Sequence, residues 1–290
     1  MPAAQPGRIV PAAYWTQRIL ALALTLGVIA AGLIVSRSDQ VQWSVIPQYF
    51  FDASILQGIR LTLILTFLAI AAGLVGGIIL AMLRGSGNSV LVGFAYLYIW
   101  FFRGTPLLVQ LIFWFNIQLF LPEIGFGSHS IPTNALISSF TAAMLALGLN
   151  EAAYMSEIVR GGILAVDRGQ SEAATALGYT PYQTFRHIIM PQALRVIIPP
   201  IGNQTISMLK TTSLVSIVAA QDLLTRVQNI YAKNFLVIEL LFVAASWYLI
   251  MTSIAIVMQA WIERRFSQEG PARASSGAPR WSFNQLLWRG

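Results

Sequence analysis

The chain has 290 residues, of which 56% are hydrophobic and only 10% charged, and its mean hydropathy is +0.67. A water-soluble domain carries about a quarter charged residues, so composition excludes a soluble enzyme and a disordered chain and leaves a helical integral membrane protein. The net charge of +7, from 16 Arg and 2 Lys against 11 acids, reads as arginine gathered on the cytoplasmic side rather than as a nucleic-acid surface; with no cysteine, disulfides, thiolate metal sites and Cys nucleophiles are excluded.

A membrane span needs ~20 apolar residues. The first charge-free run is Ile19–Ser36, preceded by Arg8 and Arg18. Its apolar core exceeds the ~7–15 residues of a signal peptide and no clear A-x-A site follows, so it reads as an uncleaved anchor. The second run is Leu61–Leu83. The third, Gly85–Pro122, is interrupted only by Arg103. As one helix it would reach roughly 57 Å, too long for a ~30 Å hydrocarbon core. Gly104, Thr105 and Pro106 mark a break or a helix start. The fourth run, Thr133–Asn150, extends past Glu151; the fifth, Val196–Gln221, holds only Lys210; the sixth, Leu240–Ile262, is closed by Glu263, Arg264 and Arg265.

Charge parity arbitrates the third run. Six spans with the N-terminus inside place 12 of the 16 arginines on the inner side and leave Arg37, Arg60, Arg226 and Lys233 outside, the distribution that the positive-inside rule requires. The expectation is therefore a cytoplasmic interfacial helix over 86–99 and a span over 101–121, with Arg103 snorkelling near the inner end. The last segment, 266–290, reads as a flexible basic tail; Trp281, Phe283, Leu286, Leu287 and Trp288 could rest on the membrane surface.

Between the fourth and fifth runs lies an inner loop of over 30 residues, Arg160–Ala193, that is not a generic linker. Ser171–Leu177 is rich in helix formers, with an acid in its first turn. Gly178 sits where a helix C-cap belongs, and Pro181 opens a second short helix. The prediction is a helix–Gly–helix elbow parallel to the membrane, with Ala173, Ala174, Thr175 and Ala176 exposed for docking into a partner's groove.

Glu172-Ala173-Ala174, Gly178, Ile188 and Met190-Pro191 carry a resemblance at this point. Their spacing resembles the E-A-A-x3-G-x9-I-x-L-P motif of ABC importer permeases, with Met190 for Leu. Further segments resemble signatures of the polar amino-acid permeases. Gly58–Leu63 is similar to G-x-x-x-T-L. Phe102–Gln110 is similar to F-R-G-T-P-L-L-V-Q, and Ala153–Gly162 to A-Y-x-x-E-I-x-R-G-G. Leu209–Leu214 is similar to L-K-D-T-S-L, with Thr211 in place of the acid. The resemblance covers about 55–265.

The resemblance implies an all-α membrane protein of about six transmembrane helices: a five-helix type I importer core over 55–265, an extra N-terminal helix within 1–54, and the tail. It implies a permease subunit in the plasma (inner) membrane with both termini cytoplasmic. A second permease subunit, the same or different, would complete the pathway. An ABC ATPase dimer would hold the elbows through Glu172, Ala173, Ala174, Gly178, Tyr179 and Pro181 of a coupling loop at about 163–192. An extracytoplasmic binding protein would deliver a polar amino acid. The chain has no G-x-x-x-x-G-K-[ST] and no Gly-Lys pair, so ATP and its Mg are expected on the partner.

Ionisable and amide side chains inside spans are costly and are functional candidates by default. Asn150, Tyr154, Glu157 and Gly161 share a helical face, with Glu151 one position round. In the fifth run Asn203, Gln204, Ser207, Lys210 and Thr211 form a polar stripe, and Pro199, Pro200 and Gly202 are expected to distort the helix. Lys210 with Asn203 and Gln204, facing Asn150, Glu151 and Tyr154, would supply a cation and acceptors for a zwitterion. The competing structural reading pairs Glu157 with Arg160 at i, i+3. Other classes fit less well. An enzyme would want a His beside an acid or a nucleophile, but His129 and His187 lie on opposite sides of the membrane. A channel or secondary transporter without an ATPase is the alternative; it has no use for the elbow, and no internal repeat is visible.

Overall fold

The computed structural model describes residues 15–125 and 129–267, apart from the side chains of Thr16, Gln17 and Ser267. The expectations for the tail aromatics fall outside the described residues. Helix α1, Trp15–Ser36, is almost wholly apolar after Arg18, and its described side chains from Arg18 onward are exposed. A 3-10 turn over Trp43–Val45 and the short α2, Ile46–Phe50, follow. Helix α3 spans Ala53–Arg84 and starts on Asp52, whose side chain accepts from the Ser54 N–H.

The third apolar run is two helices, α4 (Ser89–Gly104) and α5 (Leu107–Phe115), bent by 100°. This corrects the expected division into 86–99 and 101–121. Pro106 has no N–H to continue the ladder and forces Thr105 into an extended conformation, φ −107° and ψ 142°. The chain therefore breaks after Arg103, not before it. A pair of two-residue antiparallel strands, β1 (Glu123–Ile124) with β2 (Ile131–Pro132), stands among the helices of the described residues. After α6 (Thr133–Leu136), the fourth run forms α7, Ser139–Leu164, capped by Ser138.

The elbow consists of α8 (Arg168–Ala176), α9 (Pro181–Thr184) and a π-turn over Phe185–Ile189. It leads into α10, Met190–Thr211, which starts earlier than the predicted run and runs unbroken through Pro199 and Pro200. A 3-10 segment, Thr212–Val218, ends the element ahead of Gln221. Helix α11, Leu223–Asn234, then leads to α12, Val237–Ser267.

Helices α1, α3 and α12 are long and apolar enough to cross a membrane, and α4 with α5 forms one broken span or a re-entrant loop. Helices α7 and α10 reach about 39 and 33 Å at 1.5 Å per residue. They are long enough to cross, but they carry the polar residues and fall short in hydropathy.

The core is the α3–α7 pair. Along α3, a Cβ at Gly73 would lie 2.4 Å from Glu151 Cγ, and one at Gly77 2.5 Å from Met155 Cβ. Opposite them α7 brings small residues of its own: a Cβ at Gly76 would lie 2.8 Å from Ala152 Cβ, and one at Gly148 3.4 Å from Ala72 Cβ. In lipid, helices gain little from hiding apolar surface and associate through close backbone approach between small residues. This face is built for it. Gly58 serves the same end on α11: its missing Cβ would meet Leu223 Cα at 2.8 Å. One turn on, the buried Thr62 hydroxyl accepts from the Leu223 N–H at 3.1 Å.

Candidate functional site

Three groups of polar side chains stand out, of which the sequence reading joins the second and third into one. The first is the elbow. Asp167, not a residue near Ser171, caps α8 by accepting from the Gly169 N–H at 2.7 Å. At the other end the Gly178 N–H donates to the Thr175 carbonyl and the Tyr179 N–H to the Ala174 carbonyl, both at 3.0 Å. That is a Schellman motif, and Gly178 sits at its left-handed position with φ +80°. Thr180 and Gln183 then form a capping box, with Pro181 in the first turn of α9. Two rigid stops therefore fix the angle of the elbow. Glu172, Ala173, Gly178 and Tyr179 are exposed on it, together with Leu177 and Tyr182. Ala174 corrects the expectation: it is buried, because α8 folds back onto the π-turn segment.

The second group lies around α7. Glu151 is fully buried; its Oε2 accepts from Gln204 Nε2 at 3.0 Å, while Oε1 has no hydrogen-bond partner. Asn150 is engaged at the bend between α4 and α5. Its Nδ2 donates to the Phe102 carbonyl at 2.7 Å and to Gln110 Oε1 at 3.3 Å. Gln110 in turn donates to the Phe102 carbonyl at 3.1 Å and to the Thr105 carbonyl and hydroxyl at 3.2 and 2.7 Å. These two amides occupy the carbonyls that the bend at Pro106 leaves without an i+4 donor. Gln110 was missed from the sequence, although it is the one polar side chain in the nine apolar-rich residues of α5.

Near the elbow end of α7, Glu157 pairs with Arg160 at 3.0 Å, as the i, i+3 spacing predicted, and also with Arg84 of α3, a partner the sequence did not reveal. Arg103 lies 4.0 Å from the same carboxylate and places its guanidinium 5.2 Å over the Tyr154 ring. One carboxylate thus faces three arginines. Gly161 has open space beside it, whereas Gly162 admits Ile197 of α10.

The third group is on the far side of α10. Asn203, Ser207 and Lys210 follow each other at i, i+4 and i+7 and are exposed. With Gln259 and Glu263 of α12 they line a groove of about 400 Å³. Gln259 Nε2 donates to Asn203 Oδ1 at 3.0 Å and to Glu263 Oε1 at 2.7 Å. The expected constellation is therefore split. Of the polar residues of α10, Gln204 meets Glu151; Lys210, Asn203 and Ser207 belong to the α12 groove, because neighbouring positions on a helix are ~100° apart.

Long helices packed through glycine and alanine, a few buried polar side chains and a doubly capped elbow outside the bundle are the build of a polytopic membrane transport subunit. The chain belongs to the family described as binding-protein-dependent transport system inner membrane component, whose profile matches residues 73–268. Over 269 residues it is 45% identical to an arginine transport system permease protein of Corynebacterium glutamicum, covering 92% of this chain and 82% of that one. It is 35% identical to the glutamine transport system permease protein of Escherichia coli over 223 residues, 77% of this chain and 94% of that one. In fold it is similar to a chain from the crystal structure of an amino acid ABC transporter with histidines. There the TM-score is 0.68 at 35% identity, over 78% of this chain and 99% of the other.

Proposed function

We propose that this chain is the permease subunit of an ATP-driven importer that moves a polar amino acid across the inner membrane. Partner ATPase subunits bind and hydrolyse ATP with Mg and drive transport through the elbow, a second permease subunit completes the pathway, and an extracytoplasmic binding protein supplies the substrate. The observation that carries the reading is the elbow itself. An elbow whose vertex is fixed by a Schellman motif and the capping box that follows it moves as one piece, and its exposed Glu172, Ala173, Leu177 and Tyr179 offer a docking face outside the lipid. Pushing it moves α7 and α10, the two helices it joins, and these carry the polar side chains. The names of the relatives, an arginine and a glutamine permease, support a polar amino acid as cargo.

Asn203, Ser207 and Lys210 cannot face lipid without cost, so the α10–α12 groove turns to the second permease or to water. Lys210 there meets a substrate carboxylate, and Asn203 and Ser207 supply acceptors for its ammonium. Glu151 with Gln204 forms the polar wall behind α10, and Tyr154 and Glu157 stand at the end near the elbow. The arginine distribution supports a cytoplasmic position for both chain termini.

The test is co-purification in mild detergent of the tagged chain and its Gly178→Asp form. Asp tolerates the left-handed region better than most residues, so the added charge, not misfolding, is what the partner meets. An ATPase recovered with the native chain and lost with Gly178→Asp is the expected result. Recovery of no ATPase with either form would move the channel or secondary-transporter reading ahead.

A further inference from the structure

Helices α10 and α12 lie against each other, and the contact has two different sides. The polar groove of Asn203, Ser207 and Lys210 is on one. On the other, Ile198, Ile201, Thr205 and Leu209 follow each other down α10 at spacings of three and four, facing Met258 and Ile262 of α12. Phe67 and Leu63 of α3 form the third wall of this apolar groove of about 500 Å³. From Ile198 to Leu209 the helix rises about 16 Å at 1.5 Å per residue, half of a ~30 Å hydrocarbon core and so the depth of one leaflet.

The same two stripes continue one turn further toward the elbow and change character. There Leu194, Pro191 and Arg195 of α10 meet Arg265 and Phe266 of α12 around a pocket of about 280 Å³. The Arg265 guanidinium stacks 4.9 Å over the Trp261 ring and makes no ion pair among the described residues. A stacked guanidinium keeps its N–H edge available for a planar or tetrahedral oxyanion. An apolar groove one leaflet deep with an uncommitted cation at its headgroup end matches one molecule in particular. Basic pockets between helices at the cytoplasmic face bind anionic lipid headgroups. A protein partner is drawn to the polar groove on the opposite side, whose side chains lipid cannot accept.

We propose that this crevice is a binding site for an anionic phospholipid of the leaflet at the elbow end, with the headgroup phosphate on Arg265 and an acyl chain between α3, α10 and α12. The test is native mass spectrometry of the detergent-extracted full-length chain, titrated with dioleoylphosphatidylglycerol or dioleoylphosphatidylcholine. The native chain should prefer phosphatidylglycerol by about fivefold, the contribution of one basic residue at an anionic headgroup. Arg265→Gln should bring the two lipids to parity. Arg264→Gln, which removes a neighbouring cation that does not line the pocket, should leave the preference intact, and Ile201→Trp, which fills the groove, should weaken both lipids. Equal retention of the two lipids by the native chain, or an unchanged preference in Arg265→Gln, overturns the proposal. So does displacement of phosphatidylglycerol by inorganic phosphate together with no effect of Ile201→Trp, because the site would then read a phosphate and not a lipid. The readout is binding, so it stands apart from whether an ATPase or an amino acid is ever found.

Discussion

Gln204 of α10 donates a 3.0 Å hydrogen bond to Glu151 of α7, and among the described residues it is the one hydrogen-bond donor to a carboxyl group that is otherwise packed against α3 at Gly73. The bond ties the helix entering the elbow to the helix leaving it. Gln204→Leu strips a buried carboxyl of its donor and should destabilise the protein by about 1–3 kcal/mol. Glu151→Gln keeps the shape and an acceptor oxygen and should cost less than Gln204→Leu. Thermal unfolding of the detergent-solubilised chain would check the order; equal losses would show that the bond contributes little.

Gly77 and Gly93 are both helical glycines, yet they should respond in opposite directions. A Cβ at Gly77 would lie 2.5 Å from Met155 Cβ and 2.8 Å from backbone of α7, whereas one at Gly93 meets nothing within 4 Å. Gly77→Ala must push α3 and α7 apart and should cost on the order of 1–3 kcal/mol. Gly93→Ala removes backbone freedom from the unfolded chain and should stabilise by about 0.4–1 kcal/mol. Yield of folded protein after mild heating would separate them, and a destabilised Gly93→Ala would count against the open space at that position.

Much of this architecture was legible because its causes are local. Apolar runs, Gly178 and Pro181 each act within a few residues, so the long apolar helices and the elbow could be read from the chain. What escaped acts across space. Arg84 and Glu157 are 73 positions apart, and no spacing rule connects them. Asn150 looked like a pathway residue because an amide in a span is costly; its cost is met by the carbonyl that Pro106 frees nearby, which only the 100° bend brings to it. The polar stripe of α10 was read as one face, but Gln204 and Asn203 point to different neighbours, and the choice is made by α7 and α12.

The bend at Pro106 rests on Gln110. Gln110→Leu removes the hydrogen bonds that Gln110 donates and the one it accepts from Asn150, leaving the Thr105 carbonyl without that donor. Asn150→Leu removes the second amide. Each should lower transport well below the native level while the protein still inserts, and the double variant should be less than the sum of the two, since they share the Phe102 carbonyl. Uptake into proteoliposomes, normalised to inserted protein, measures this. Additive losses would show that the two amides act independently.

Glu157 balances Arg84 and Arg160, with Arg103 4.0 Å away. Glu157→Gln would leave three arginines crowded without a counter-charge. The Glu157 and Arg84 side chains are only 25% and 10% exposed, so solvent relieves the repulsion in part, and the loss should be about 1–3 kcal/mol. High salt should restore some of it by screening. Arg84→Gln removes one of the cations and should lessen the damage of Glu157→Gln when the two are combined. If the double variant is no more stable than Glu157→Gln alone, the cluster is not held by charge balance.

Gly178 separates backbone conformation from steric room. Nothing lies within 4 Å of where its Cβ would sit, so any penalty on substitution comes from φ +80° alone. Gly178→Ala should cost about 1–2 kcal/mol of elbow stability and Gly178→Asn clearly less, since Asn visits the left-handed region readily. Gly178→Val, β-branched, should cost more than either. Because the elbow is the proposed link to the ATPase, uptake per ATP hydrolysed should fall in the same order, Asn above Ala above Val, while membrane insertion stays constant. Thr180→Ala, which removes the capping box at the second stop, should lose about 1 kcal/mol and follow the same relation. If transport per ATP is equal across this series while local stability changes, the stiffness of the elbow is not what couples the two subunits.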